Sequence, residues 1–432
     1  MAHFVSRRAV VLYKHSTPAF PARASILNRA KLNLVMGADP LYGPRTGIEN
    51  YTRELLNALL NIDDINNIQL HGFGRLMPAS IDTLELDEPP SGRNVKALPR
   101  RGSFYNASIA ALRTKLSKSA VAHFAYKKLE PIMSSIALKS LGAAYLYHSP
   151  NFFLPQFSGP TITTFHDLSI IRFPDFHPLE RVRFMEAKIK QASESDAHVI
   201  CPSELVRYEC ETILGIDRQR LTVIPHGVDP SFRPRSADEC RSVLNSHHLD
   251  YGRFLLFVST VEPRKNILNI CKAIHLANSS GDFNWPVVFI GHPGWRSTDE
   301  HAAIQDLCAK GRAKYLGFAP AHELRILMSA AGGLLYPSIY EGFGMPAAEA
   351  QRSGTAVITS QHSSMAEFTC DSDLLVNPDN AGDISDAIVK LSQRSYKSEH
   401  TGGRMGENAS RLTWRASALA HLDAYRRAAD GD

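Results

Sequence analysis

The sequence lacks the long apolar run that a membrane-spanning helix requires. Its longest apolar stretches, Phe254 to Val258 and Trp285 to Ile290, are of strand length, whereas a transmembrane helix needs about 20 apolar residues. The amino terminus also lacks the apolar core of a secretory signal, because Arg7 and Arg8 precede only the short segment Ala9 to Tyr13. These absences argue against a helical membrane protein and predict a cytoplasmic chain.

The sequence also lacks a cysteine pattern with a structural or catalytic meaning. Its six cysteines contain no Cys-x-x-Cys pair, and a chain of 432 residues does not need disulfides to fold. The one Asp-x-Asp sequence, Asp371-Ser372-Asp373, falls in a predicted turn rather than at a strand end. Phosphate-loop, zinc-protease and serine-hydrolase motifs are absent as well. We therefore expect a reducing compartment, no essential metal and no cofactor.

Acidic residues are missing from one segment, residues 93–128, which carries nine Lys and Arg. No aromatic residues alternate with these charges to stack bases, so a nucleic-acid groove is a poor interpretation. Two interpretations stay open. A helix formed by residues 107–128 could lie on an anionic membrane surface. Alternatively, its apolar stripe could pack on the sheet of its own domain while the charged side chains are solvated. Within 107–128 the apolar residues at helical spacing are Ile109, Leu112, Leu116, Val121 and Phe124.

What the sequence does contain is an alternation of short apolar strands with helical segments, and its length suggests two domains. Such an alternation predicts two doubly wound α/β domains, whose strand carboxyl ends border a shared crevice. The predicted strands begin at Leu32, Tyr145, Thr161, His198, Leu221, Phe254, Val287, Gly333 and Thr355. The predicted organisation is a basic extension (1–30), a first domain (31–230), a linker (231–250), a second domain (251–410) and an amphipathic helix (411–432) that packs back on the first domain.

The strongest local pattern is the segment from Tyr336 to Ala350. A predicted strand is followed by a loop with Gly342 and Gly344, and then by a helix that a proline opens. Glycine lets a ligand approach the backbone, and the helix start is a ready anion site. Glu341 and Glu349 bracket this loop. From spacing alone, an ordinary turn with two surface glutamates is equally favoured.

Glu341 and Glu349 match the E-x7-E motif of the retaining GT-B glycosyltransferases, and the chain from about residue 31 to 425 resembles glycosyltransferase family 4. The resemblance implies a GT-B fold, two Rossmann-like domains facing a central cleft, in which residues 31–230 bind the acceptor and residues 251–410 bind the nucleotide sugar. It implies that a nucleotide diphosphate sugar binds the loop, with Glu341 on the sugar side and Glu349 on the ribose side. The loop residues expected to bind the donor are Gly342, Phe343, Gly344 and Met345.

Two further segments extend the resemblance. Ser259-Thr260 followed by Arg264-Lys265 is similar to the family's first strand of the second domain, where a basic pair meets the diphosphate. Ser259-Thr260 replaces a Gly-Arg pair common in the family, so we expect Arg264 to supply part of the positive charge that binds the diphosphate. In the first domain, Gly47 belongs to a segment similar to the family's glycine-bearing loop, and His166 stands where a histidine contacts the donor sugar. His226 falls in a signature to which we assign a hinge role.

The function that the resemblance implies is a retaining hexosyltransferase. It moves a hexose, first of all mannose from GDP-mannose, to a hydroxyl of a glycan or a polyprenyl-linked oligosaccharide in lipopolysaccharide assembly. The residues expected at the reacting centre are His166, Arg264, Lys265 and Glu341. The alternatives are a GT-B epimerase or phosphorylase, and a non-enzymatic subunit that binds nucleotide sugars. The expected location is the cytoplasm, including the inner face of the plasma membrane.

Overall fold

The structure, a computed structural model, describes residues 31–42, 46–80, 120–394 and 410–430, with residues 120–128 and 143 described by their backbone alone. The predicted extension over residues 1–30 lies outside this part of the chain. So do residues 93–119 of the basic segment.

The first domain contains a seven-stranded sheet in which β4 lies at the centre. The sheet order is β3-β2-β1-β4-β5-β6-β7, and every pair is parallel except β2 with β3. The order reverses between β1 and β4, which places a topological switch point there. The elements are β1 (Leu32–Gly37), α1 (Gly47–Leu60), β2 (Ile65–Gly72), β3 (Arg75–Pro78), α2 (Ala120–Lys139), β4 (Leu146–Ser149), β5 (Thr161–Thr164), α3 (Ser169–Arg172), α4 (Leu179–Ser193), β6 (His198–Cys201), α5 (Glu204–Thr212) and β7 (Leu221–Val223).

The second domain has an all-parallel sheet in the order β10-β9-β8-β11-β12-β13, which is the Rossmann order. The prediction of two doubly wound domains is therefore confirmed. Its elements are α6 (Ala237–Ser246), β8 (Leu255–Val258), α7 (Ile267–Ser279), β9 (Val287–Ile290), α8 (Thr298–Ala309), β10 (Ala313–Gly317), α9 (Ala321–Ala330), β11 (Gly333–Tyr336), α10 (Met345–Arg352), β12 (Val357–Ser360), β13 (Leu374–Val376) and α11 (Ala381–Ser392).

Residues 231–250, which the sequence suggested as a linker, contain helix α6. Ser236 and Glu239 form a capping box at its start, an arrangement that satisfies two otherwise unpaired backbone N–H groups. Cys240 and Leu244 are buried in the core of the second domain. This segment is thus a packed part of the second domain.

The last helix, α12 (Trp414–Asp430), belongs to the core of the first domain. It packs along α1, and its buried face includes Trp414, Leu422 and Tyr425. The chain therefore crosses from the second domain back to the first. No helix in the described ranges is both long and apolar enough to cross a bilayer.

Direct hydrogen bonds join the two domains next to the cleft. The Tyr340 hydroxyl donates to Glu209 Oε2 at 2.5 Å and accepts from the Leu168 amide at 3.0 Å. Ser203 Oγ, which caps α5, donates to the carbonyl of Gly342 at 2.7 Å. These contacts fix the Glu341 loop of the second domain against the strand ends of the first.

Candidate active site

The glycine loop that follows β11 presses directly on the first domain. A Cβ atom at Gly342 would lie 1.7 Å from the carbonyl oxygen of His166, so only glycine fits there. Gly344 has a φ of 92° and caps helix α10, a conformation in which a side chain is strained. The loop geometry thus brings Gly342 and His166, which are far apart in sequence, to one place.

The amides at the start of α10 are available to a ligand. Among the described residues, the N–H groups of Phe343, Gly344 and Met345 have no hydrogen-bond partner. Pro346 occupies the second helical position and has no N–H to satisfy. Unpaired amides at a helix start attract anions, because the helix dipole adds to their own partial charge.

The basic pair after β8 is held by a short turn. Pro263–Lys265 form a 3-10 turn, and Asn266 follows in the left-handed conformation with a φ of 64°. The Asn266 side chain donates to the carbonyls of Pro337 at 2.9 Å and Pro378 at 2.7 Å. These bonds anchor the turn to the loops after β11 and β13. The Ile339 amide also donates to the Arg264 carbonyl at 3.0 Å.

Arg264 and Lys265 converge on the carboxylate of Glu341. Lys265 Nζ lies 2.6 Å from Oε1, and an Arg264 Nη1 lies 2.9 Å from Oε2. Lys265 also donates to the Tyr336 hydroxyl at 2.9 Å, and Arg264 pairs with Glu262 at 2.8 Å. All of these side chains are largely buried. The sequence-based grouping of Arg264, Lys265 and Glu341 is thus a real cluster in space.

The electrostatic consequence is a permanently charged site. Burial alone would raise the pKa of Glu341, but the attraction of Arg264 and Lys265 outweighs it and leaves this pKa at about 2. Burial likewise opposes the charge on Lys265, whereas Glu341 helps to raise its pKa. Arg264 Nε is buried without a partner. A diphosphate beside this cluster would meet fixed cations and unpaired N–H groups, which favours binding of negative charge.

Glu349 lies just over one turn into α10 and does not join this cluster. It is partly buried, near an ion pair in which Arg325 Nη2 and Asp229 Oδ2 are 2.8 Å apart. Burial, together with the charge of Asp229 and against that of Arg325, raises the pKa of Glu349 to about 8. The raised pKa favours the protonated carboxyl group, which can both donate and accept hydrogen bonds.

His166 has a defined tautomer. Its Nε2 lies 2.8 Å from the carbonyl oxygen of Pro150, so Nε2 carries the proton and donates. Its Nδ1 is then free to accept and faces His226 Nε2 at 3.3 Å. Burial lowers the pKa of His166, which keeps the ring neutral at physiological pH. His226 itself packs between Tyr51, Phe343 and Trp414.

Three predicted donor-binding residues contact the cluster only indirectly or not at all. Gly47 starts helix α1, and a Cβ at this position would meet nothing within 4 Å. Ser259 and Thr260 follow β8, where the backbone of Ser259 touches Gly291 and the Thr260 side chain lies beside Gly294. The structure thus places Ser259 and Thr260 after β8 and Gly47 at the start of α1, and it joins none of them to Glu341.

Several residues at these strand ends were not singled out from the sequence. Tyr336 accepts a hydrogen bond from Lys265, and Tyr340 bonds Glu209 of the first domain. The charges of Asp229 and Arg325 act on the pKa of Glu349. His292 and Phe318 follow β9 and β10 and stack with ring centroids 5.4 Å apart, with Phe318 68% exposed. The sequence signal available for Phe318 was an aromatic residue directly after a glycine, Gly317-Phe318.

No group of three or more His, Cys, Asp or Glu side chains among the described residues is arranged to hold a metal ion. Arg264, Lys265 and the start of α10 supply positive charge at the site.

Comparisons with known proteins agree with this arrangement. Residues 246–411 match the family described as Glycosyl transferases group 1, and residues 132–232 match Glycosyltransferase Family 4. The chain is 29% identical to the O-antigen chain mannosyltransferase B of Escherichia coli, over 91% of this chain and all of the relative. It is 28% identical to the O-antigen chain mannosyltransferase RfbU of Salmonella typhimurium, over 56% of this chain and 63% of the relative.

Among solved structures, a sucrose-phosphate synthase from Thermosynechococcus elongatus superposes with a TM-score of 0.63 at 19% identity. The match covers 93% of this chain and all of the other. At that identity the likeness establishes the fold alone, which is the GT-B arrangement of two Rossmann-like domains.

Proposed function

We propose that this protein, a glycosyltransferase built of family 4 and group 1 domains, transfers mannose from a nucleoside diphosphate to a hydroxyl of a surface glycan. The observation that carries the proposal is the cluster of Arg264, Lys265 and Glu341 beside the unpaired amides of α10, facing His166. The relatives named as O-antigen mannosyltransferases support mannose and an O-antigen type of glycan.

The donor lies across the start of α10 in this proposal. Its diphosphate binds the amides of Phe343, Gly344 and Met345, and its ribose diol binds Glu349. A protonated Glu349 can accept one hydroxyl hydrogen and donate its own, which suits a vicinal diol. The stacked pair of His292 and Phe318 is an aromatic surface on which the planar base packs.

The chemistry depends on charge that develops on the leaving diphosphate. As the bond between the sugar C1 and the phosphate oxygen breaks, Arg264, Lys265 and the α10 amides stabilise the growing negative charge. The acceptor oxygen forms the new bond to C1, and its proton passes to the departing phosphate oxygen on the same face, so configuration is retained. His166 and Glu341 orient the sugar. No protein base and no metal are required by this scheme.

The finer proposal for the acceptor is a polyprenyl-linked glycan reached at an anionic membrane. Helix α2 carries exposed Leu129, Ile132 and Ile136 on one stripe, and the basic residues 113–128 precede this stripe in the chain. An exposed apolar stripe on a helix, with basic residues close to it in the sequence, favours an anionic interface. We expect cosedimentation with anionic vesicles that weakens at high salt. Equal binding to neutral vesicles, or by a variant with Arg113, Lys115, Lys118, Lys127 and Lys128 changed to Gln, would contradict it.

The decisive experiment is a donor panel followed by a transfer assay. GDP-mannose should raise the Tm of the purified chain more than UDP-sugars do, because a ligand at 100 times its Kd adds about 2.7 kcal/mol. Mass spectrometry should then detect one added hexose on a mannose-terminated oligosaccharide, and NMR should show the α configuration of the donor in the product. Transfer should persist in EDTA. An isomerised nucleotide sugar would favour an epimerase instead. A sugar phosphate formed only when phosphate is present would favour a phosphorylase, and binding without turnover would favour a non-enzymatic binding subunit.

A further inference from the structure

His226 contacts four separate segments of the chain. It lies three residues after Val223, the last residue of β7, and only 6% of its surface is exposed. Its ring packs against Tyr51 of α1 and Phe343 of the glycine loop, with centroid distances of 4.7 and 5.0 Å. It also stacks on Trp414, the first residue of α12, at 6.2 Å. The side chain thus joins the first domain, the last helix and the glycine loop of the second domain.

The fourth neighbour of His226 is His166, which follows β5. His226 Nε2 and His166 Nδ1 are 3.3 Å apart. This hydrogen bond has one direction only while both rings are neutral. The Pro150 carbonyl can only accept, so His166 Nε2 carries the proton of its ring and Nδ1 has none to donate. His226 Nε2 is therefore the hydrogen-bond donor.

Burial keeps both rings neutral, as this direction requires. It lowers the pKa of His166, against the hydrogen bond to Pro150 and the charge of Asp167. It also lowers the pKa of His226 well below the ordinary value of 6.5, and the neighbouring His166 and His421 act in the same direction. The N–H of His226 therefore stays available to His166 at physiological pH.

The other ring nitrogen of His226 is left without a bond. Nδ1 is buried and has no hydrogen-bond partner among the described residues, and an unpaired buried acceptor destabilises a folded protein. An apolar side chain of similar volume would avoid this penalty and could still pack between Phe343 and Trp414. Apolar packing therefore does not explain a histidine at this position, whereas the hydrogen bond from Nε2 to His166 does.

The bond fixes the orientation of the His166 ring. Because Nε2 donates to Pro150 and Nδ1 accepts from His226, a flip of the ring would break both bonds. Tyr51 packs edge-on against the same ring at 4.7 Å. The backbone of His166 lies against Gly342, where a Cβ atom would come 1.7 Å from the His166 carbonyl oxygen. The ring of His166 and the glycine loop are therefore held in place together.

We propose that His226 is a positioning residue for the transfer reaction, because it donates to His166 Nδ1 and holds the His166 ring in a single orientation. The inference rests on the proposed function, in which His166 orients the donor sugar. It adds a residue that acts through His166 rather than on the substrate. Phe343 belongs to the donor-binding loop, so His226 also links the position of that loop to the position of His166.

The first test compares two substitutions of nearly equal size. The amide of glutamine can donate an N–H from a similar distance along the side chain, whereas the thioether of methionine cannot donate. We expect His226→Met to lower kcat by about tenfold to a hundredfold, because a small displacement near the reacting atoms is costly. We expect His226→Gln to retain most of the wild-type kcat. Equal kcat values in the two variants would overturn the inference.

Two controls separate positioning from a general loss of stability. The Kd of GDP, measured by calorimetry, should be the same in all variants, because His166 is expected to contact the sugar and not the nucleotide. His198 is buried like His226 and bonds Thr222, but it starts β6, at the end of the sheet away from the cleft. His198→Met should therefore lower the Tm and leave kcat unchanged. A loss of GDP affinity in His226→Met, or an equal loss of kcat in His198→Met, would overturn the inference.

Histidine ¹⁵N NMR of the free protein does not depend on turnover, and the wild-type spectrum decides the point even if His226→Met fails to fold. At neutral pH, His166 should carry its proton on Nε2 and show a hydrogen-bonded Nδ1, whereas His226 Nδ1 should show neither a proton nor a bond. The spectrum of His166→Gln assigns the His166 signals. A wild-type His166 with its proton on Nδ1 would overturn the inference.

The two measurements together separate this inference from the proposed function. The expected tautomers with equal kcat in His226→Met and His226→Gln would overturn the inference and leave the proposed function standing. The expected tautomers in a wild-type protein that transfers no sugar would contradict the proposed function, while the hydrogen bond from His226 to His166 would stand.

Discussion

Glu341 binds two cations at once, so single substitutions at the cluster change both charge and stability. Lys265→Met should lower kcat/KM by about a hundredfold or more, because a donor that stabilises charge in the transition state is lost. It should also destabilise the fold by about 3–5 kcal/mol, since Glu341 loses one partner of a buried pair. Steady-state kinetics and chemical denaturation measure the two effects. The matched control is Lys272→Met, an exposed lysine on α7, and equal kinetics in both variants would refute the role.

Arg264 makes more contacts than Lys265 and should be harder to replace. Arg264→Lys keeps the charge but cannot reach Glu262, Glu341 and the Tyr340 carbonyl together. We expect kcat/KM to fall by about tenfold to a hundredfold while the Kd of the free nucleotide changes less, because the lost geometry acts on developing charge. Titration calorimetry beside kinetics checks this, and a full rescue by lysine would show that only charge matters.

The raised pKa of Glu349 predicts that its contribution to the stability of the fold changes with pH in the opposite direction to that of Glu341. Its pKa is raised to about 8 in the folded protein from an ordinary 4.5, so the folded state binds the extra proton and stability falls as pH rises from about 4.5 to 8. Glu349→Gln removes this loss. Its Tm should match wild type at pH 4 and exceed it at pH 8, by about 2–4 °C for each kcal/mol.

Glu341→Gln is the control for that experiment. The pKa of Glu341 is about 2, so its stabilising charge is present above pH 4.5 and is lost only as pH falls towards 2. The variant should therefore be less stable than wild type at pH 7. If Glu349→Gln behaved in the same way, Glu349 would be ionised in the free protein.

At the scale of elements, the glycine loop before α10 sets how closely the domains meet. Gly342→Ala would place a methyl group against the His166 carbonyl, where no room exists, so the loop or the domain must shift. A displacement of about 1 Å can cost a hundredfold in rate, and we expect kcat/KM to fall by at least tenfold. Gly281→Ala is the control, because its Cβ would meet nothing within 4 Å and its φ of 80° opposes alanine only through backbone strain, which lowers stability and leaves kcat/KM unchanged. Small-angle scattering would report any opening, and unaltered kinetics would contradict the close approach.

Most strands with a strong apolar pattern were predictable, including the edge strand β7, whereas the edge strands β3 and β10 and the inner strand β2 were not predicted. The strands beginning at His198 and Gly333 appear as predicted, because a central parallel strand is buried on both faces and needs a continuous apolar run. β3 and β10 lie at sheet edges, where part of the strand is exposed and polar residues such as Arg75 and Lys314 are tolerated. Because β3 and β10 are partly exposed, they lack the continuous apolar run by which a strand is predicted from sequence.

At the scale of the whole molecule, α12 closes the chain onto the first domain through a buried polar network. The Tyr425 hydroxyl bonds His148 Nδ1 at 2.7 Å, and His421 Nε2 bonds the Tyr51 hydroxyl at 2.9 Å. Tyr425→Phe should leave His148 unsatisfied and lower the free energy of unfolding by about 1–3 kcal/mol. Denaturant unfolding measures it, with the partly exposed Leu419→Ala on the same helix as control. No change in Tyr425→Phe would mean that water replaces the hydroxyl.

The sequence by itself determined the doubly wound pattern, because strand and helix periodicities are local. It also determined the glycine loop and the residue types at the site, because each of these segments lies within a single strand-loop-helix unit. Only the tertiary structure decided that Lys265 and Glu341, 76 residues apart, form one buried pair, and that Glu349 is separated from it by the turn of α10. Tyr425 and His148 are 277 residues apart. Such contacts depend on how helices and strands pack across the sheet, and no local pattern encodes that.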